Sequence, residues 1–141
     1  MQGEPIYKYM TVCPHTVGRD QTLALAKRLM QEKGIRHLPV LDGGVLVGIV
    51  SERDVDMILA VSTVDRDRVK VEEAMTPEPY IVSADAKLSR VCADMARHKY
   101  GCAIVVERGH VAGVFTTVDA LRVLSRLLED GAVPPSKRAV S

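Results

Sequence analysis

Two short runs in this 141-residue chain set a hydroxyl and a carboxylate at the same spacing. The first is Gly48-Ile49-Val50-Ser51-Glu52-Arg53-Asp54, and the second is Gly113-Val114-Phe115-Thr116-Thr117-Val118-Asp119. In each, a hydroxyl residue closes an apolar run and an aspartate follows three positions later. That spacing is a capping box, in which two side chains satisfy orphan backbone N–H groups at a helix start. It can also serve a ligand. A carboxylate held at a helix start can accept both hydroxyls of a ribose, and the helix N-terminus favours a phosphate beside it. The two uses are compatible, because capping fixes the rotamers a binding site needs. Arg36 and His37 are a second candidate group. They pair a permanent cation with an imidazole whose ordinary pKa is about 6.5, which makes any contact there pH-sensitive.

The other reactive side chains carry less. His15, His98 and His110 have no partners at metal-ligand spacing, so no metal site is expected. Cys13, Cys92 and Cys102 are odd in number and lack CxxC spacing, which leaves their pairing open. Cys92 is read as a small packed hydrophobe. No nucleophile elbow, zinc-protease or phosphate-loop motif occurs, so no catalytic residue is expected and the protein is read as a non-enzyme. Lys+Arg number 19 against 18 Asp+Glu, a balance that argues against a general polyanion binder. Aromatic residues are 4% of the chain, too few for a stacked single-strand nucleic-acid groove. The basic tail offers only Lys137 and Arg138. No apolar run is long enough to span a bilayer and the N-terminus lacks a signal-peptide pattern, so a cytoplasmic location is expected.

The elements that must position these residues occur twice. Sliding the chain by 65 residues against itself, without a gap, gives twelve identities over Met10 to Leu59. Met10-Thr11 falls on Met75-Thr76, Gly48 on Gly113 and Asp54 on Asp119. Each half reads β-α-β-β-α. Thr16-Val17 and Ile81-Val82 open the halves as extended pieces, with Asp20 and Asp85 as expected N-caps of the helices that follow. Gly34 is an expected helix C′ residue. The strands His37–Leu41 and Val45–Val50, and Cys102–Val106 and Val111–Phe115, form hairpins with glycine-bearing turns. The expected organisation is repeat one at 9–63, a linker at 64–74, repeat two at 75–129 and a flexible tail at 130–141. The fold class is α+β, two repeats packed about a pseudo-twofold axis. The last helix of each half is apolar on too wide a surface to be covered by its own sheet, and the uncovered side reads as an interface.

The duplicated pattern, the Gly-Ile-Arg-His-Leu-Pro-Val run at Gly34 to Val40 and the two Gly-x-x-Ser/Thr-x-x-Asp runs resemble a pair of CBS domains, over about Tyr9 to Leu128. The resemblance implies a stand-alone regulatory module that binds an adenine nucleotide between its repeats, AMP foremost, with ADP or ATP as variants, and no required cofactor. It implies two pseudo-symmetric sites. One would comprise Asp119, Thr116, Arg36, His37, Ile81 and Val82, and the other Asp54, Ser51, Arg53, Thr16 and Val17. Asp54 and Asp119 would hold ribose hydroxyls, and the Thr16-Val17 and Ile81-Val82 pieces would border adenine. Gly101 and Cys102 stand where repeat one has Arg36 and His37, so the Asp119 site is expected to be the better phosphate binder. The resemblance also implies a homodimer through the last helices and a regulated protein partner acting in trans. The alternative is a structural dimerisation module with vestigial clefts.

Overall fold

The computed structural model describes residues 3–131 except 14 and 62. The tail expected at 130–141 therefore lies outside the described residues from 132 onward.

The first half contains β1 (Thr11–Val12), β2 (Val17–Gly18), α1 (Leu23–Lys33), β3 (His37–Asp42), β4 (Val45–Ser51) and α2 (Glu52–Leu59). The second repeats it with β5 (Thr76–Pro77), β6 (Ile81–Ser83), α3 (Leu88–His98), β7 (Cys102–Glu107), β8 (His110–Thr116) and α4 (Thr117–Glu129). The mixed α+β class and the twofold repetition expected from the sequence are both present. Even an irregularity recurs. The β3–β4 ladder shifts register between Val40 and Leu41, and the β7–β8 ladder shifts between Val105 and Val106.

The sheets do not coincide with the halves. One sheet has the order β2-β3-β4-β5, and the other β1-β8-β7-β6. Each half thus gives its first strand to the other half's sheet. The residues just before that strand travel with it. Ile6 is fully buried among Leu88, Val91, Val105 and Phe115 of the second core. Val71 is fully buried among Leu23, Met30, Val40 and Val50 of the first. The segment read as a linker is accordingly docked. Its end donates from the Val71 amide to the Gln21 carbonyl, and its Val69 carbonyl accepts from the Leu23 amide.

The exchange explains the repeated glycine. A Cβ on Gly48 would lie 2.7 Å from Met75 Sδ and 2.8 Å from the Thr76 carbonyl oxygen. A Cβ on Gly113 would collide with the Thr11 carbonyl oxygen and lie 2.9 Å from Met10 Sδ. Only glycine lets the visiting strand pair so closely with β4 or β8.

Helix ends follow local chemistry, with one correction. Asp20 and Asp85 are not the N-caps. The cap of α1 is Thr22, whose hydroxyl accepts from the Leu25 amide, and α3 starts after Lys87 with no side-chain cap. Both helices begin two residues later than the aspartates suggested, and Asp85 instead accepts from the Ser83 hydroxyl at 2.7 Å. Gly34 ends α1 in the left-handed region, φ 63°. Its counterpart Lys99 adopts φ 59° without the freedom of glycine.

Candidate functional site

The hydroxyl–carboxylate pairs sit where β4 turns into α2 and where β8 turns into α4. Ser51 caps α2: its hydroxyl accepts from the Asp54 amide at 3.1 Å and donates to the Asp54 carboxylate at 2.8 Å. Thr116 caps α4 in the same way, accepting from the Asp119 amide at 3.3 Å and donating to Asp119 Oδ2 at 3.2 Å. The capping use expected of the motif is therefore present at both helix starts.

The carboxylates differ in what else they hold. Asp119 is the one buried charged side chain among the described residues. Its Oδ2 also accepts from the Thr116 amide at 2.9 Å, closing the box. Its Oδ1 accepts from the Thr11 hydroxyl at 2.9 Å and from Arg122 Nη1 at 3.2 Å. Asp119 therefore ties the exchanged strand β1 to the start of α4 and holds a guanidinium at the cleft mouth. Asp54 is half-buried and hydrogen-bonds with Ser51.

Each carboxylate faces a cleft built from both halves. The Asp119 cleft, of about 380 Å³, brings together Thr11, Arg36, His37, Thr116, Asp119 and Arg122. The Asp54 cleft, of about 340 Å³, is lined by Ser51, Asp54, Glu78, Tyr80, Lys99, Tyr100, Gly101 and Cys102, with His37 at its edge. Both volumes fit a small-molecule site. A larger depression of about 600 Å³ lies beside α2, with Arg36, His37, Ser51, Arg53, Asp56 and Met57 around it, and neither Asp54 nor Asp119 lines it.

Arg36, His37, Thr116 and Asp119 therefore converge, as do Ser51 and Asp54. Arg53 lines the larger depression instead of the Asp54 cleft. Thr16, Val17, Ile81 and Val82 line neither cleft. Val17 is buried in the first core, Val82 packs against the second, and Ile81 pairs with Ile104. The walls come from residues just earlier in the chain, Thr11 and the 76–80 segment, because the exchanged strands bring them across. Sequence reasoning missed Thr11, Arg122, Glu78, Tyr80, Lys99 and Tyr100. The Thr11/Thr76 identity and the i,i+3 spacing of Arg122 from Asp119 were the available signals.

Electrostatics follow burial. His37 is held below its ordinary pKa chiefly by burial, opposed by the carboxylates of Asp54 and Asp119 and assisted by Arg36. The Cys102 thiol is pushed up to about 12 by burial, then by Asp119 and Cys13, which keeps it protonated. Tyr80 is raised to about 12 by burial and by Asp94, whose carboxylate accepts its hydroxyl at 3.0 Å. All three cysteines are free. Among the described residues, no grouping of three or more His, Cys, Asp or Glu could hold a metal ion, and no helix is long and apolar enough to cross a membrane.

The family model for the CBS domain matches twice, at residues 6–60 and 71–126. The chain belongs to the CBS domain family. Both matches begin with the exchanged segments, at Ile6 and Val71. The CBS domain-containing protein YhcV of Bacillus subtilis is 30% identical over 113 residues, which cover 78% of each chain. The inosine-5'-monophosphate dehydrogenase of Korarchaeum cryptofilum is 34% identical over 105 residues. This CBS pair spans 21% of that enzyme and 43% of a Methanocaldococcus jannaschii relative. Among solved structures, a candidate acetoin utilization protein (AcuB) from Vibrio cholerae superposes with TM-score 0.72 at 33% identity, covering 93% of this chain and 98% of its own. CBSX2, solved in complex with AMP, gives TM-score 0.72 at 25% identity, covering 89% and 99%. The AMP in that complex is a ligand of CBSX2, a homologous CBS pair.

Proposed function

We propose that this CBS pair senses adenine nucleotides, AMP foremost, with the phosphorylated ligand in the Asp119 cleft, and transmits occupancy to a protein partner in trans. One observation carries the reading: a buried carboxylate and the guanidinium groups of Arg36 and Arg122 line one nucleotide-sized cleft at the start of α4. Ribose hydroxyls would donate to Asp119, and the guanidinium groups would meet the phosphate, where the helix N-terminus adds favourable potential. The Arg122–Asp119 contact is exposed on its arginine side, so Arg122 can swing to a phosphate at small cost. Ribose hydroxyls on Asp119 would also compete with the Thr11 hydroxyl and loosen its tie between β1 and α4, a local change that both repeats feel. CBSX2 with bound AMP supports the ligand class.

The output surface is the exposed flank of the last helices. Leu121 and Leu128 on α4 and Met57 on α2 are each more than half exposed, and their flank would form a homodimer contact. The location proposed is the cytoplasm. The test is thermal unfolding with AMP, ADP and ATP. A ligand at a hundred times its Kd stabilises by about 2.7 kcal/mol. Asp119→Ala should abolish that shift. No shift with any of the three would leave the dimerisation module as the better reading.

A further inference from the structure

The two clefts are related by the 65-residue repeat, yet their charged residues have been exchanged for others position by position. In the Asp119 cleft, Arg36, His37 and Arg122 supply basic groups. Their counterparts toward Asp54 are Gly101, Cys102 and Met57. None of these carries a positive charge, and Met57 lines the larger depression beside α2. The reverse also holds. The Asp54 cleft gains Glu78, Tyr80, Lys99 and Tyr100 where the other repeat has Cys13, His15, Gly34 and Ile35. The Asp119 cleft thus sets two guanidinium groups against one carboxylate. The Asp54 cleft sets two carboxylates against the single ammonium of Lys99. His37 borders both clefts, but burial favours its neutral form, so it adds no standing cation to the Asp54 side.

The aromatic rings are equally one-sided. Tyr80 and Tyr100 stack with centroids 4.9 Å apart, and His98 also stacks with Tyr100 at 5.1 Å. Tyr80 is anchored through its hydroxyl to Asp94. Both tyrosines line the Asp54 cleft. Among the described residues, no tyrosine or phenylalanine lines the Asp119 cleft.

Resting on the nucleotide-sensing reading above, we infer that the clefts select ligands of different charge. The Asp119 cleft takes a phosphate-bearing nucleotide. The Asp54 cleft takes a phosphate-free nucleoside, with its ribose on Asp54, its base against the tyrosine rings that line the cleft, and Glu78 repelling a phosphate from it. The pair therefore reads two chemically distinct adenosine compounds at once.

The test is titration calorimetry of the full chain with AMP and with adenosine. AMP should fill one site per chain, and adenosine should still bind when AMP is saturating. Tyr100→Ala should weaken adenosine about tenfold through lost stacking and leave AMP unchanged, while Tyr100→Phe keeps the ring and the affinity. Tyr100 is partly exposed, so the alanine variant is expected to fold, and its thermal unfolding checks this. Glu78→Lys should open a second, weak AMP site. Two equivalent AMP sites per chain, or competition between adenosine and AMP for a single site, would overturn the inference while leaving nucleotide sensing intact. Failure of both compounds to bind would instead overturn nucleotide sensing itself.

Discussion

Replacing Asp119 by alanine should cost about twice the stability that replacing Asp54 costs, although the two occupy equivalent positions. The difference can be worked bond by bond. Asp119→Ala opens the capping box on α4, which is worth about 1 kcal/mol. It also strands the Thr11 hydroxyl, whose bond to Oδ1 at 2.9 Å is part-buried and worth about another 1 kcal/mol. The Arg122 contact is exposed on the arginine side and adds a few tenths at most. The total is about 2 kcal/mol. Asp54→Ala loses its bond from the Ser51 hydroxyl, and about 1 kcal/mol with it. For a chain of this size, 1 kcal/mol moves Tm by about 3–4 °C. Without ligand, Asp119→Ala should therefore melt about 3–4 °C below Asp54→Ala. Calorimetric unfolding measures this directly. A double-mutant cycle of Asp119→Ala with Thr11→Val isolates the bond that crosses from one half to the other, and should give a coupling of about 1 kcal/mol. Equal melting of the two aspartate variants, or a coupling within error of zero, would refute the claim that Asp119 ties the exchanged strand to α4.

Gly113→Ala and Gly48→Ala should each destabilise by roughly 1–3 kcal/mol in urea unfolding, because the new methyl meets a backbone oxygen of the visiting strand. Gly113→Ala should also weaken nucleotide binding, since it displaces Thr11 from Asp119. At the helix ends the signs are opposite: Gly34→Ala should cost about 1 kcal/mol, and Lys99→Gly should stabilise by up to about that amount, both read from urea midpoints. His37 predicts a pH dependence. Its folded pKa lies below the ordinary 6.5, so in that window the unfolded chain holds a proton that the folded chain does not. Its contribution to stability is full above about pH 6.5 and is lost as pH falls through the folded pKa. His37→Asn should flatten the fall of the unfolding free energy as pH drops below about 6.5, and an unchanged slope would contradict the assignment.

Much of the fold was readable because the chain states it twice. The repeated pattern located the four α-helices and both hairpins, and the recurrent glycine, hydroxyl and aspartate marked where each last strand turns into a helix. The exchange of first strands was not readable. Val17 and Ile81 lie in short extended pieces that look like natural openings of each half, while β1 and β5 are two residues long and exposed, with no alternation to betray a partner. The signal was present in another form. Gly48 and Gly113 are interior glycines in strands, and such a glycine implies a close backbone approach without saying whose. The N-caps were misplaced for a related reason. An aspartate and a threonine two residues apart compete for the cap, and in α1 the chain direction set by the Val69–Leu23 pairing gives it to Thr22.

The site was readable to the extent that its chemistry is local. Ser51 with Asp54, and Thr116 with Asp119, are fixed by three-residue spacing and survive any uncertainty about topology. The cleft walls are fixed by which half crosses to which. Arg36 reaches the Asp119 cleft from the other repeat, and Thr11 reaches it because β1 pairs with β8. Once that crossing is known, the departures from symmetry acquire direction. Arg122 replaces Met57, and Tyr100 replaces Ile35, so each cleft has gained what the other lacks. Simple decay of one site would remove basic residues without adding an anchored ring pair and a carboxylate in their place. The substitutions instead run both ways across the pseudo-twofold axis, which is the pattern expected of two sites that divide their ligands between them.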